Sequence, residues 1–262
     1  MARPITEDWL IYEAVVDYLA KKVLRKSKKI CARSFSILSF KDSRCSQRDA
    51  WLRFDDRSRG FYERGYRVAV TTDITGYYEN INLEELRKRI IDYLGADKEG
   101  QKVTDVLLAQ LRAWSDERIS GYGVPQGPPG SSFLADIFLD YVDSRMEQYK
   151  GYFRYMDDIR IFCKREIEAK RALKELTVAL RGLKLNINAK KTDILHGKEI
   201  EDNLFDPQKS LLNVVEMTIK SGNKKLIRRI IPPLVKLLDD AFSTATFEKR
   251  HLNFSLYRLS IL

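Results

Sequence analysis

Two adjacent carboxylates, Asp157 and Asp158, lie between two apolar runs of this sequence. Like charges side by side repel each other when they are partly buried, unless a cation neutralises them. Hard divalent cations prefer carboxylate oxygens, and Mg²⁺ commonly takes one or two carboxylates together with substrate phosphates. The pair is therefore a candidate metal site for chemistry on phosphates. The competing interpretation is a solvated turn, where aspartate is common.

A third carboxylate, Asp73, ends an upstream segment that is rich in β-branched residues. If it faces the acidic pair, the three acids form a cluster that suits two Mg²⁺ ions roughly 3.5–4 Å apart, an arrangement used for in-line phosphoryl displacement. Asp73 alone also suits a turn or a helix cap. Its chemistry therefore depends on the motifs that accompany it.

Short strands and helices are predicted around these acids. Residues 152–162 alternate aromatic and branched side chains, which predicts a β-hairpin with the acidic pair at its turn. Residues 66–72 are typical of a strand, and a Gly/Pro-rich loop occupies 123–132. Apolar periodicity predicts helices over 6–25, 83–93, 100–116, 133–146 (amphipathic) and 166–180.

Three signals in this order resemble the palm of reverse transcriptases: Asp73 followed after four residues by Tyr78, then Pro-Gln-Gly, then Tyr-Met-Asp-Asp at 155–158. The resemblance runs from about Arg67 to Thr192. It implies an α+β fold of right-hand polymerase architecture, with an antiparallel palm sheet, a YMDD hairpin, helical fingers and a helical thumb. The implied domains are fingers at 1–65, palm at 66–200 and a thumb-like helical region at 201–262.

The same resemblance gives roles to individual residues. Asp73, Asp157 and Asp158 match the catalytic acids that bind two Mg²⁺ ions, or Mn²⁺, and Asp157 matches the firmer ligand of the pair. Tyr78 matches the aromatic residue beneath the incoming sugar, where its ring would clash with a 2′-hydroxyl and favour deoxynucleotides.

Further positions match parts that contact the nucleotide. Gln126 and Gly127 match the loop against the incoming nucleotide and template, and Ser131 matches the start of the next helix. Residues 181–192 resemble the Gly-Leu…Leu-Asn…Lys-Thr block of group II intron-type enzymes. Lys191, or alternatively Lys190, would there protonate the departing pyrophosphate, a contribution of about 10²–10⁴-fold; a lysine on a solvated loop is the other interpretation.

Basic residues outside the palm are candidate phosphate contacts. Arg44 and Arg48 are predicted to bind the triphosphate from the fingers, although solvated surface charge is an alternative. A basic helix start is predicted to grip duplex phosphates as a thumb, and Pro232-Pro233 is predicted to end that helix. The basic residues of this start are Lys224, Lys225, Arg228 and Arg229. A strand at 211–219 and helices at 234–242 and from 246 complete the prediction.

Composition agrees with a polyanionic partner. The 262 residues are 44% hydrophobic, and a net charge of +10 suits an RNA template and primer, or a noncoding RNA. The three cysteines are too scattered for a zinc site or disulfide framework, which indicates a reducing cytoplasm. No apolar run approaches the roughly 20 residues that span a membrane. The apolar stretch 254–262 predicts a covering protein partner or oligomer, or a longer natural chain.

The function implied is RNA-directed DNA polymerisation, the two-Mg²⁺ addition of deoxynucleotides (from dNTPs) to a primer 3′ end. The run 73–81 resembles bacterial reverse transcriptases of antiphage defence and abortive infection, with retron and intron-type enzymes as alternatives. An RNA-directed RNA polymerase is a rival that Tyr78 disfavours. A non-catalytic RNA-binding subunit is a second rival, which the three intact acids disfavour.

Overall fold

The computed structural model describes residues 5–26, 31–42, 45–115, 121–205 and 224–243. The chain forms two compact units, Met1–Ile200 and Glu201–Leu262. In chain order the elements are α1 (Thr6–Lys26), α2 (Leu38–Lys41), α3 (Gln47–Glu63), β1 (Val68–Thr72), α4 (Leu83–Leu94), α5 (Lys98–Trp114), α6 (Pro129–Arg145), β2 (Tyr152–Tyr155), β3 (Asp158–Cys163), α7 (Glu166–Gly182), β4 (Asp193–His196), α8 (Lys198–Leu204) and α9 (Lys224–Ser243). Short 3₁₀ turns occupy Tyr78–Asn80 and Ala189–Lys191.

The four strands form one antiparallel sheet in the order β2-β3-β1-β4. β-Branched and aromatic residues suit this pleated, half-buried surface. The predicted α+β architecture is confirmed: a small antiparallel sheet carries the YMDD hairpin, and helices surround it. The edge strand β4 was not predicted. It has only four residues, and its side chains are half-buried or exposed, so it lacks a clear apolar alternation.

The two faces of the sheet are covered differently. On one face Val70 and Ile161 join the main apolar core, to which α6 and α7 also contribute. On the other face Phe153 and Phe162 stack on each other and on Phe61 of α3, with ring centroids 5.7–6.0 Å apart. Helices thus cover both faces of the sheet at β2, β3 and β1, and the three predicted acids lie at the strand ends.

Helix α6 differs from its prediction in start and in character. It begins at Pro129 rather than at 133, because proline suits the first helical turn, where its missing N–H costs no hydrogen bond. Every residue from Gly130 to Leu139 is buried, so this half is not amphipathic. It lies in the middle of the first unit, against α1, α4 and α7.

Helix α3 was not predicted, although its sequence carries a clear start signal. Ser46 and Asp49 form a capping box, in which each side chain binds the backbone N–H of the other residue. The buried positions of α3 recur at helical spacing, at Ala50, Phe54, Ser58 and Phe61. The prediction for this region was limited to helical fingers at 1–65 with basic triphosphate contacts, because the many charges between these positions obscure the apolar period.

In the second unit, α9 continues through Pro232 and Pro233, so the prediction that these prolines end the helix is wrong. Proline removes a helical hydrogen bond, but its fixed φ of about −65° is itself helical. Ile230 and Leu234 are buried one turn apart on either side of the prolines. The predicted strand 211–219, the helix from 246 and the apolar stretch 254–262 lie outside the described residues. Within the described residues, no helix is both long and apolar enough to cross a membrane.

Candidate active site

Asp73 leaves the sheet directly after β1, beside the segment that precedes β4. Its carbonyl accepts the Asn188 N–H at 2.8 Å. One residue earlier, the Thr72 hydroxyl lies 2.7 Å from that of Thr192. These bonds bring the predicted Lys-Thr block against the end of β1, and Lys191 thereby forms an ion pair with Asp73 Oδ2.

The YMDD hairpin ends at the same edge of the sheet. Tyr155 and Asp158 are a cross-strand pair, so the turn consists of Met156 and Asp157. In the neighbouring pairing Thr72 lies opposite Ile159, and Asp73 and Asp158 are the next residues along these two strands. The register of the sheet therefore gathers the three predicted acids at one place.

The charges at this place influence one another. Burial raises the pKa of Asp157, and the negative charge of Asp73 adds to this rise, while Lys191 and Arg154 oppose it. The pKa of Lys191 is raised by its hydrogen bond to Asp73 and by the charges of Asp157 and Asp158. Asp158 also lies 3.9 Å from Arg160 Nε, which compensates part of its charge. One ammonium thus faces three acids.

The acids fit a divalent cation by their chemistry. Among the described residues, Asp73 Oδ1 is buried and has no hydrogen-bond partner, so this oxygen is left for a cation. In the conformation of the described residues, no three His, Cys, Asp or Glu side chains are already gathered at metal-ligand spacing. The hard oxygen donors and the excess of negative charge nevertheless suit Mg²⁺ or Mn²⁺, held by Asp73, Asp157 and Asp158. Lys191 supplies the positive charge that Asp73 binds here.

Tyr78 lies next to the hairpin turn. Its hydroxyl contacts Met156 Sδ at 3.6 Å, and its half-buried ring is 5.6 Å from that of Tyr77. Burial raises the pKa of Tyr78, so the phenol stays neutral near pH 7. Tyr77 is different: it lies in the core and donates its hydroxyl to the Ala135 carbonyl. Of these two tyrosines, Tyr78 is the one whose side chain reaches the hairpin turn.

The predicted nucleotide loop precedes α6. Gln126 and Gly127 are exposed, and Gly127 has a φ of 123°, a conformation that favours glycine. Behind the loop, both Glu13 carboxylate oxygens accept the Gly130 N–H at 3.1 Å, and the Tyr12 hydroxyl lies 2.7 Å from that of Ser131. Helix α1 thus anchors the loop, and the buried Ser131 serves this anchoring.

The remaining predicted phosphate contacts lie on α3 and α9 or outside the described residues. Arg44 lies outside the described residues, and Arg48 is half-buried near the start of α3. Lys224 and Lys225 begin α9, but their side chains are outside the described part of the chain. Arg228 and Arg229 are exposed on the same helix, in the second unit.

Behind the hairpin lies a set of buried polar residues that sequence reasoning missed. They are Ser34, Ser36, Asp136, Asp143 and Arg154, and we call them the buried charge network. A signal was present, because Asp136 and Arg154 each interrupt an otherwise apolar run. Buried charges require partners, but sequence alone does not identify which residues supply them.

Comparison with known proteins identifies relatives by sequence and by fold. A sequence model described as reverse transcriptase (RNA-dependent DNA polymerase) matches residues 14–230. The telomerase of Candida albicans, solved in complex with the TWJ fragment of telomeric RNA, has a TM-score of 0.53 at 12% identity, over 95% of this chain and 50% of that one. The apo telomerase of Candida tropicalis has a TM-score of 0.50 at 15% identity, over 91% of this chain and 51% of that one.

This chain spans about half the length of these telomerases, and at such identities the likeness concerns the fold alone. The search of curated protein sequences gives no match. The family model, in contrast, covers most of the chain, including β1, the loop before α6 and the YMDD hairpin. With the acids of these elements gathered at one edge of the sheet, the chain belongs to the reverse transcriptase family of nucleotidyltransferases.

Proposed function

We propose that the protein extends the 3′ end of a primer with deoxynucleotides, in the order directed by an RNA template. The observation that carries this proposal is the meeting of Asp73 with Asp157 and Asp158 at one edge of the sheet. Their shared charge excess suits two Mg²⁺ ions, which when bound would activate the primer hydroxyl and stabilise charge on the phosphates. Family membership supports the same chemistry.

Each protein group then has a defined task. Tyr78 lies beside the turn and selects the sugar by excluding a 2′-hydroxyl. The exposed loop with Gln126 and Gly127 supports the nucleotide and template. Lys191 is held protonated by Asp73, because the ion pair raises its pKa. The ion pair also places this ammonium beside the acids, from where it would donate its proton to the leaving pyrophosphate.

The direct test is Asp157→Asn, which keeps the shape of the side chain and removes its charge. We expect nucleotide incorporation to fall below detection with Mg²⁺ or Mn²⁺. Because burial already disfavours the charge of Asp157, the variant should unfold at the same temperature as wild type or higher. Asp92→Asn, at an exposed position of α4, is the matched control and should retain full activity.

Primer extension on RNA and DNA templates, with matched deoxynucleotides and ribonucleotides, separates this proposal from its rivals. Ribonucleotide incorporation in preference to deoxynucleotides would favour an RNA-directed RNA polymerase. RNA binding by a wild-type protein that incorporates neither would favour a non-catalytic subunit. Near wild-type incorporation by Asp157→Asn would refute the role of the acid cluster.

We further propose that the enzyme acts in the bacterial cytoplasm in antiphage defence. The support is the sequence Asp-Ile-Thr-Gly-Tyr-Tyr-Glu-Asn-Ile at 73–81. Retron and intron-type enzymes are the alternatives. For a defence enzyme, the proposed partners are a dedicated noncoding RNA or a protein subunit. Sequencing the nucleic acid that copurifies with the protein tests this. One defined RNA with matching cDNA would identify template and subgroup, whereas intron RNA would contradict the defence assignment.

A further inference from the structure

Arg154 is a fully buried charge directly before the YMDD turn. It donates from Nη1 to Asp136 Oδ1 at 2.6 Å, and from Nε and Nη2 to the two oxygens of Asp143 at 2.8 Å. Tyr152 donates its hydroxyl to the same Asp143 at 2.7 Å. Burial by itself lowers the pKa of Arg154, but Asp143 and Asp136 together outweigh this effect and raise that pKa well above its ordinary value, so the guanidinium remains charged. Arg154 and Asp136 are each 0% exposed.

The network fixes both backbone groups of Met156, the residue before Asp157. Arg154 Nη1 donates to the Met156 carbonyl at 3.2 Å, and the Met156 N–H donates to Ser36 Oγ at 3.2 Å. Met156 has a φ of 54°, which is uncommon for a residue other than glycine and persists only where the surroundings enforce it. The two hydrogen bonds from the buried charge network hold Met156 in this conformation.

The network also ties the hairpin to the segment 31–37, which follows α1. Ser36 donates to both oxygens of Asp136 at 2.7–2.8 Å, and Ser34 donates to Asp136 Oδ1 at 2.7 Å. The Phe35 N–H binds the Arg154 carbonyl at 2.8 Å, and the Arg154 N–H binds the Arg33 carbonyl at 2.9 Å. The segment therefore extends the sheet beyond β2, and its serines reach the turn.

We infer that Ser36, Asp136 and Arg154 are positioning residues that hold the YMDD turn in the conformation in which Asp157 faces Asp73. The inference rests on the proposed polymerase function for its kinetic consequence. Replacing a buried ion pair by apolar residues is often neutral or stabilising, so stability alone is a weak reason for three buried charges. Here Arg154 and Ser36, both bound to Asp136, hydrogen-bond the backbone of Met156, the residue next to a catalytic acid. The buried charges therefore help to hold the turn.

Ser36→Ala is the decisive variant, because it removes the acceptor of the Met156 N–H and leaves the ion pairs in place. A hydrogen bond of this kind contributes about 0.5–1.5 kcal/mol, which corresponds to amide exchange in residues 155–158 that is faster by roughly two- to thirteenfold. Hydrogen–deuterium exchange of the protein alone measures this. Thr104→Val is the matched control, since it removes another buried hydroxyl, bonded to the Gly100 carbonyl within α5.

Single-nucleotide incorporation gives the second measurement. We expect Ser36→Ala to lower kcat about ten- to a hundredfold and to raise the Mg²⁺ concentration for half-maximal rate, with the KM for dNTP unchanged. Arg154→Lys should lower kcat more strongly, again with the KM for dNTP unchanged, because an ammonium cannot reproduce the forked contacts of a guanidinium. Thr104→Val should change thermal stability without changing kcat.

The two measurements distinguish failure of this inference from failure of the proposed function. Exchange at 155–158 that matches the Thr104→Val control would overturn the positioning role, and so would faster exchange with an unchanged kcat. A wild-type protein without polymerase activity would contradict the proposed function. In that case faster exchange in Ser36→Ala would still establish that the network holds the turn, and unchanged exchange would refute it.

Discussion

At Asp73, one carboxylate oxygen is bound by an ammonium, and the other is buried with no partner in the part of the chain that the structure describes. A buried carboxylate is usually neutralised or fully hydrogen-bonded, because desolvation penalises its charge. Asp73 therefore has one carboxylate oxygen that is available to bind a cation. The negative charge of Asp157 is also disfavoured, since burial and the charge of Asp73 together raise its pKa. The two acids therefore suit the binding of cations, whose positive charge would offset this excess of negative charge.

Tyr78 carries the residue-scale prediction. Tyr78→Val should raise the incorporation of ribonucleotides relative to deoxynucleotides by at least about tenfold, because a steric clash in a site is worth a few kcal/mol of discrimination. Matched single-nucleotide incorporation assays measure the ratio. Tyr77→Phe is the control: it removes a hydroxyl buried in the core, so it should lower stability and leave the ratio unchanged. An unchanged ratio in Tyr78→Val would exclude Tyr78 as the sugar gate.

At the scale of elements, the YMDD hairpin depends on a close approach of two backbones at its far end. The Phe162 N–H binds the Gly151 carbonyl at 3.0 Å. A Cβ on Gly151 would lie 2.0 Å from the Phe162 carbonyl oxygen, which no small adjustment relieves. Only glycine allows β2 to begin so close to β3. The distance between these strands in turn sets the position of the turn that carries Asp157.

Gly151→Ala should therefore destabilise the protein by about 1–3 kcal/mol or more, the usual cost of overpacking. Gly182→Ala is the matched control at the end of α7, where the nearest atom to a new Cβ would be Tyr141 Oη at an ordinary 3.5 Å. Alanine favours a helix over glycine by up to about 1 kcal/mol, so this variant should be neutral or more stable. Chemical denaturation measures both. Equal stabilities would contradict the close approach at Gly151.

At the scale of the whole molecule, the net charge of +10 favours a polyanion, but charge alone does not locate its binding surface. We predict that the basic start of α9 contacts the phosphates of a primer–template duplex. Reversing all four charges should weaken duplex binding and flatten its salt dependence, by about 0.9 in log–log slope for each phosphate of a B-form duplex that the protein no longer neutralises. The four residues are Lys224, Lys225, Arg228 and Arg229.

The measurement is binding affinity across a salt series. A control with the same change of net charge separates a local contact from the general field of the protein. It reverses four exposed lysines on other helices, Lys88, Lys102, Lys174 and Lys198. If both variants lose affinity and slope equally, α9 has no special contact with the duplex. A larger effect in the α9 variant supports its role as the thumb.

The sequence by itself determined the elements that carry the acids. Alternation around the YMDD pair, β-branched residues before Asp73 and apolar periodicity in α1, α4, α5 and α7 are local patterns. Their physical cause, a side-chain period of 2 in strands and 3.6 in helices, is contained in short stretches of chain. The order of the motifs also indicated the family. These patterns can be recognised in the sequence without any knowledge of long-range contacts.

Tertiary structure alone decided which residues meet. The register of β1 and β3 brings Asp73 to the YMDD hairpin, and Lys191, 118 residues from Asp73, becomes its ion-pair partner. Tyr77 and Tyr78 are adjacent in sequence, yet one enters the core and the other faces the site. Ser36 reaches the Met156 N–H across 120 residues. Such partners depend on packing and register. The sequence shows that a buried charge needs a partner, but it does not show where along the chain that partner lies.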